Sequence, residues 1–196
     1  AISGLRVALS IGAETRPVAV SCSGLIQYDQ CPRLYRYRYL DRLPERPAPW
    51  AALGTEVHRL IEEMSRSQQQ PPADAEEESD PDPDEREHSR HAGNAPDVPG
   101  LLEAYRRSPF SGRPASRVEE PFLLPLGENA LRGRIDRLDL LPDGSWQLAD
   151  FKVSRYHGQI LRRQRLQMQL YALAVCRLWQ VDPRRLACHL LFLIDG

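Results

Sequence analysis

Apolar positions along the chain fall into two rhythms. From Leu131 to Val153 the period is two, the spacing of a strand with one face in a core. This stretch predicts a β-hairpin: a first strand over Leu131–Leu141, a turn at Pro142-Asp143-Gly144, and a second strand over Ser145–Val153. Trp146, Leu148, Asp150 and Lys152 then share one face of the second strand, and Gln147, Ala149, Phe151 and Val153 the other. Over Trp50–Arg66 the rhythm is helical, with Ala52, Leu53, Val57, Leu60, Ile61 and Met64 as the expected buried stripe. A second long helix is predicted over Gln159–Gln180, burying Leu166, Leu170, Leu173, Ala174 and Leu178.

Shorter elements fill the intervals. Ser23 is the expected cap of a helix carrying Leu25, Ile26 and Tyr28, and Cys31-Pro32 breaks or restarts it. Leu5–Leu9 reads as a short strand in an N-terminal tail or linker, residues 1–20. Leu101–Arg107 reads as a helix, Ser116–Leu126 as a strand, and Leu186–Ile194 as an apolar strand expected at the centre of the sheet. Helices, three strands, a helix and a strand make an α/β layer on a mixed sheet. Between them Ser67–Gly100 has almost no apolar content and six prolines, and is expected to be a disordered acidic insertion in a domain spanning 21–196.

Charge changes the picture once that insertion is set apart. Of the 26 basic and 27 acidic residues, two and ten fall in Ser67–Gly100. That leaves 24 against 17 elsewhere, an excess of seven positive charges hidden in a formal net charge of −1. A basic body suits a polyanion such as nucleic acid. The chain has no apolar run long enough to span a membrane, residues 1–20 lack the charged start and apolar core of a signal peptide, and the first and last residues read as those of a fragment. Cys22, Cys31, Cys176 and Cys188 lack C-x-x-C spacing and are expected to be free, mostly buried thiols in a reducing compartment. His88 and His91 lack ligand-spaced companions, so no zinc site is expected there.

The hairpin holds the candidate chemistry. Asp136 lies mid-strand, where a charge is costly unless it is paired or holds a metal. Asp150 and Lys152 sit side by side on the neighbouring strand. Two carboxylates and a lysine so placed suit metal-dependent phosphodiester hydrolysis: the acids hold a hard cation, and the lysine orients water and offsets developing charge. The competing reading is of ordinary ion pairs, Asp136 with Arg134 or Arg137 and Asp150 with Lys152. Gly54 and His58, one turn apart on the first long helix, leave room for close approach and offer a further ligand. In Arg33-Leu34-Tyr35-Arg36-Tyr37-Arg38-Tyr39, the expectation is that Tyr35 and Tyr39 pack on the body, while Arg36 and Arg38 are free to meet a polyanion.

Five segments in order resemble the RecB-like branch of the PD-(D/E)XK nuclease superfamily: SGLIQYDQCPRLYRYRYL from Ser23, GTEVH from Gly54, GRID from Gly133, DFK from Asp150 and QMQLY from Gln167. The resemblance implies a restriction-endonuclease-like α/β core with a mixed central sheet, flanking helices and extra N-terminal helices. It implies that His58, Asp136, Asp150 and the carbonyl of Phe151 ligate Mg²⁺ or Mn²⁺, and that Lys152 positions water. It implies that Gln167 and Tyr171 steady the site and contact DNA; Arg36, Arg38 and Arg162 are expected on the DNA-binding face from the basic segments that hold them. Glu119 or Glu120 would assist from the preceding strand. Some relatives bind an iron–sulfur cluster through one early and three late cysteines; no trio follows Cys188 here, so no cluster is expected. The implied partners are DNA, single-stranded, and a helicase domain or subunit, without a membrane. The implied setting is double-strand break repair in the bacterial cytoplasm, at the nucleoid. Two alternatives stand beside the nuclease: a catalytically silent DNA-binding or helicase-partner module, and a CRISPR-type spacer-processing nuclease, which the missing cysteine trio disfavours.

Overall fold

A computed structural model describes residues 17–44, 49–67, 97–158 and 161–195. Five strands form one mixed sheet: β1 (Ala19–Ser21), β2 (Arg117–Leu126), β3 (Asn129–Leu140), β4 (Trp146–Lys152) and β5 (Leu186–Phe192). β2 lies antiparallel along one edge of β3. The other edge of β3 is shared, with β1 parallel at residues 130–132 and β4 antiparallel at residues 137–140. β5 runs parallel to β4. The helices are α1 (Cys22–Gln30), α2 (Pro32–Tyr35), α3 (Pro49–Ser67), α4 (Val98–Arg107) and α5 (Arg162–Leu178). The fold is mixed α/β and restriction-endonuclease-like. Among the described residues no helix is long and apolar enough to cross a membrane.

The predicted hairpin forms within one residue of its expected bounds, except that β3 begins at Asn129. Its turn closes through Leu141 N–H to Ser145 O, 2.8 Å, and Asp143 Oδ1 accepts from Ser145 N–H at 2.9 Å. Gly144 supplies the left-handed backbone there, φ 76°. Alternation on β4 separates two cores. Leu148 joins Met168, Tyr171, Ala174 and Val175 of α5 on one face. Ala149 and Phe151 join Val57 and Ile61 of α3 and Leu101, Ala104 and Tyr105 of α4 on the other. Each aliphatic side chain so buried stabilises by about 1.5–3 kcal/mol relative to exposure.

Several expectations shift. The buried stripe of α3 is Val57, Ile61 and Ser65, and Ala52 is exposed. Ser65 is buried because its Oγ meets the Tyr105 hydroxyl at 2.8 Å. On α5 the buried line is Gln164, Met168, Tyr171, Ala174 and Val175, while Leu173 and Leu178 are exposed. The helix is rotated from its apolar maximum because Gln164 and Gln167 are engaged by partners: Gln164 Oε1 accepts from Leu161 N–H at 3.0 Å, and Gln167 faces β4. The first helix is capped by Ser21, whose Oγ accepts from Gly24 N–H at 3.0 Å, and not by Ser23. Ala19 and Val20 belong to the sheet through β1, so the domain reaches back into the predicted tail. Cys31 caps α2 with Pro32 at its first position, as the restart requires. β5 lies at an edge of the described sheet rather than its centre, since a parallel strand was added outside β4. Cys188 on it is exposed, Cys31 and Cys176 are half-buried, and only Cys22 is fully buried; all four are free. Leu5–Leu9 and most of the acidic insertion, with His88 and His91, lie outside the described residues.

Candidate active site

The sheet is distorted at the place where the acids meet. β2 and β3 pair in constant register, Val118 with Arg137 and Glu120 with Ile135, but Glu119 and Asp136 between them are not bridged. Glu119 has a left-handed backbone, φ 47°, which a glutamate rarely adopts and which costs on the order of 1–2 kcal/mol. The alternation on β3 changes phase here: Ile135 and Leu138, of opposite parity, join the same core. On the other edge of β3, the ladder to β4 stops at Arg137 and Ala149. Beyond it β4 is tied to β3 by a side chain, because Asp136 Oδ2 accepts from Phe151 N–H at 2.7 Å.

His58 from α3 enters this gap. Its Nε2 lies 3.0 Å from the Phe151 carbonyl oxygen. Its Nδ1 faces Glu119 Oε1 at 3.6 Å and Asp136 Oδ2 at 3.7 Å. Acceptor oxygens therefore flank both ring nitrogens, and a neutral imidazole has one N–H. The other nitrogen turns its lone pair toward oxygen unless a proton or a cation lies between. Burial would lower the pKa of His58, but Asp136, Glu119 and Asp150 outweigh it and raise it to about 10. Burial pushes Asp136 up to about 6, although His58 opposes this. Burial likewise pushes Asp150 up to about 7, against the pull of Lys152. Adjacent carboxylates this poorly solvated are a cost that a bound cation relieves.

The metal test follows from the donors. One nitrogen of His58 and one oxygen each of Glu119 and Asp136 lie within 4.8 Å of one another, a set that fits a single ion. Oxygen-rich donors with one imidazole suit a hard divalent cation. With an N–H at Nε2 donating to the Phe151 carbonyl at 3.0 Å, Nδ1 is left to face Glu119 and Asp136 and would be the imidazole donor to such an ion.

Lys152 and Asp150 lie on the α5 side. Lys152 Nζ is 3.0 Å from Asp150 Oδ2 and donates to Gln167 Oε1 at 2.8 Å. Gln167 Nε2 donates in turn to the Tyr171 hydroxyl at 3.1 Å. This fixes which end of the amide faces the lysine. Burial, then Asp150 and Asp136, hold the Tyr171 phenol well above its usual pKa, so it stays protonated.

A family model for the PD-(D/E)XK nuclease superfamily matches residues 19–195. The chain belongs to that superfamily. No curated protein sequence matches it. PD-(D/E)XK nucleases use divalent metals, and the acidic cluster lies where this chain would hold one. Membership accounts for the motif glycine at Gly133 in packing terms. A Cβ there would stand 2.6 Å from the Phe122 ring and 3.0 Å from Cys22 Sγ, and Phe122 itself packs edge-on against Tyr171. At Gly54 a Cβ would meet nothing within 4 Å, so no described part of the chain makes the close approach expected there.

The structure thus brings together His58, Asp136, Asp150, Phe151, Lys152, Gln167 and Tyr171. Glu119 joins them, whereas Glu120 is turned away and pairs with Arg117 at 2.6 Å. The ordinary ion pairs are not what forms. Arg137 is fully buried, and its Nε donates to both Asp139 oxygens at 3.0 Å, with Nη1 on the Tyr105 hydroxyl at 3.1 Å. Arg134 approaches Glu119, at 4.0 Å. Asp150 does pair with Lys152, but as a buried pair. Tyr171 is 7% exposed, so it supports Gln167 from below and has little surface for a bound strand. Arg36 and Arg162 are exposed and engage Asp41 at 3.2 Å and Asp29 at 2.7 Å, and Arg38 is half-buried in the π-helical turn Arg36–Leu40. Tyr35 and Tyr39 stack at 4.8 Å over Gly24, as packing residues.

Proposed function

We propose that the chain is a RecB-like, Mg²⁺- or Mn²⁺-dependent deoxyribonuclease that hydrolyses DNA phosphodiester bonds, with a helicase partner, in break repair and recombination in the bacterial cytoplasm. The observation that carries the reading is the convergence of His58 from α3, Glu119 from β2, Asp136 from β3 and Asp150 with Lys152 from β4 on one distorted point of the sheet. The five-segment likeness in the expected order supports the RecB-like branch, and such domains accompany helicases.

In this reading His58, Asp136, Asp150 and the Phe151 carbonyl hold the cation, and Glu119 completes the set. When bound, the cation supplies Lewis acidity and activates water. Asp136 keeps β4 in place through Phe151 N–H, and the same oxygen, Oδ2, faces His58 Nδ1 at 3.7 Å. Lys152, its ammonium located between Asp150 and Gln167, orients the attacking water and faces the charge that builds on the phosphate. The Gln167–Tyr171 pair holds that ammonium in register. Arg36, Arg38 and Arg162 supply the basic face for the strand. Cleavage of labelled DNA that needs Mg²⁺ or Mn²⁺ and vanishes in Asp150→Ala and Lys152→Ala is the expected result. DNA binding without cleavage under either metal would instead mark a binding module.

A further inference from the structure

Two arginines flank Asp136 on β3, and they are used differently. Arg137 is fully buried and its donors are filled, by Asp139, by the Tyr105 hydroxyl and by the Arg113 carbonyl at 2.8 Å. Arg134 is only half-buried. Its Nη1 lies 4.0 Å from Glu119 Oε2, beyond hydrogen-bond reach, and its guanidinium makes no hydrogen bond among the described residues. Its neighbours Gly133 and Ile135 face the α5 core: Ile135 belongs to that core, and a Cβ on Gly133 would meet Phe122 and Cys22. Alternation turns Arg134 to the other face, where Asp136 meets His58. Lys152 is held by Gln167 on the α5 face. The two cations therefore approach the acids from opposite faces of the sheet. Glu119 joins Arg134 to the cluster, with Oε1 toward His58 Nδ1 and Oε2 toward Arg134. Solvent reaches the cluster from this side. The side chains of His58 and Arg134 are 28% and 23% exposed, against 2% for Asp150 and 12% for Lys152.

We infer that Arg134 is a further catalytic residue, which contacts the phosphate being cut from the side opposite Lys152. The inference rests on the nuclease reading and adds a second cation to that site. Charge balance favours it. Glu119, Asp136 and Asp150, once ionised, are matched by one divalent ion and the Lys152 ammonium. The incoming phosphodiester is then the uncompensated charge, and it grows more negative as water attacks. Arg134 is the cation of the cluster left to meet it. A guanidinium presents N–H donors in a fork that fits two phosphate oxygens, and those of Arg134 are not taken up as those of Arg137 are. The competing role is a support that holds Glu119 in place for the metal. The two roles differ in sign. A cation beside a metal ligand repels the ion, so removing a phosphate contact leaves metal binding intact or tighter, whereas removing a support for Glu119 weakens it.

The test uses the full chain with Arg134→Met and Arg134→Lys. Calorimetric Mn²⁺ titration without DNA should find Arg134→Met binding at least as tightly as wild type. DNA affinity is then read in Mn²⁺ in the Lys152→Ala background, where cutting is expected to stop. Adding Arg134→Met there should weaken binding roughly three- to ten-fold and lower the salt slope by about one phosphate contact, with little change in EDTA. In the otherwise wild-type chain, Arg134→Met should lower kcat about a hundred-fold with little change in KM. Arg134→Lys keeps the charge without the fork and should lose roughly ten-fold; it carries the test if Arg134→Met melts below the assay temperature. Mn²⁺ affinity ten-fold weaker in Arg134→Met would make the residue a support for Glu119 and overturn the inference. So would a wild-type kcat in Arg134→Met, and either result leaves the nuclease reading intact. Mn²⁺-dependent DNA affinity that falls in Arg134→Met, in a chain that cuts nothing with either metal, would uphold the phosphate contact and overturn the nuclease.

Discussion

Asp136 does two jobs that substitution can separate. One oxygen accepts from Phe151 N–H at 2.7 Å, just past the point where the β3–β4 ladder stops. Asp136→Asn keeps an acceptor for that N–H and removes the charge. Asp136→Ala removes both and leaves the N–H, in a strand where Phe151 is buried, without its partner. An unsatisfied buried donor costs about 1–3 kcal/mol. For a chain of this size each kcal/mol shifts Tm by roughly 2–4 °C, so Asp136→Ala should melt roughly 2–12 °C below Asp136→Asn in EDTA. The comparison between the two variants isolates the hydrogen bond, because both relieve the cost of a buried carboxylate whose pKa is raised to about 6. Added Mn²⁺ should raise the wild-type Tm, by about 2.7 kcal/mol of stability at a hundred times its Kd, and should raise neither variant's. Differential scanning fluorimetry and calorimetric Mn²⁺ titration read both effects. Equal melting of the two variants would refute the tethering role, and Mn²⁺ affinity retained in Asp136→Asn would refute the metal role.

Three further outcomes are expected. Glu119→Gln should weaken Mn²⁺ binding at least ten-fold by calorimetry, while Glu120→Gln, whose carboxylate pairs with Arg117, should leave it within two-fold; similar losses in both would remove Glu119 from the site. Gln167→Ala should lower kcat roughly ten- to hundred-fold with little change in KM, since it frees the ammonium of Lys152 without removing it, and Tyr171→Phe should have a smaller effect in the same direction; an unchanged kcat in Gln167→Ala refutes that support. Asp136 and Asp150 keep their protons to about 6 and about 7, above the ordinary 3.8, so the stability they lend below that range is lost as pH rises through it. His58, raised from 6.5 to about 10, adds stability that is full below 6.5 and lost toward 10. The Tm in EDTA should therefore fall from pH 5 to pH 9, less steeply in Asp150→Asn, and Mn²⁺ should flatten the fall; a Tm in EDTA that rises over this range contradicts the buried acid cluster.

What the sequence made legible was local. The hairpin could be read because its apolar residues alternate and Pro142-Asp143-Gly144 closes it. The two faces of β4 could be read for the same reason, and they divide the cores as expected. Period alone placed the rest less well. Ala52, Leu173 and Leu178 fit a helical stripe yet lie exposed, because buried polar groups, Ser65 on Tyr105 and Gln167 on Lys152, set the rotation of α3 and α5. Strand order was out of reach, since an apolar strand such as β5 looks the same at an edge as at the centre. The choice between Glu119 and Glu120 was equally hidden. It depends on a left-handed backbone at Glu119 and a change of phase at Asp136, and neither leaves a mark in a pattern that assumes regular alternation. The buried Arg137–Asp139–Tyr105 network was missed because Arg137 read as a neighbour for Asp136; a charged pair two apart on a buried strand, with a tyrosine on the helix before it, was the available signal.

The most direct measurement is cleavage of end-labelled single-stranded and duplex DNA in Mg²⁺, Mn²⁺ or EDTA, wild type against Lys152→Ala. The account predicts metal-dependent products from the wild-type chain, absent in EDTA and absent in Lys152→Ala. Products of equal yield from both proteins, or DNA bound by both and cut by neither, would contradict it.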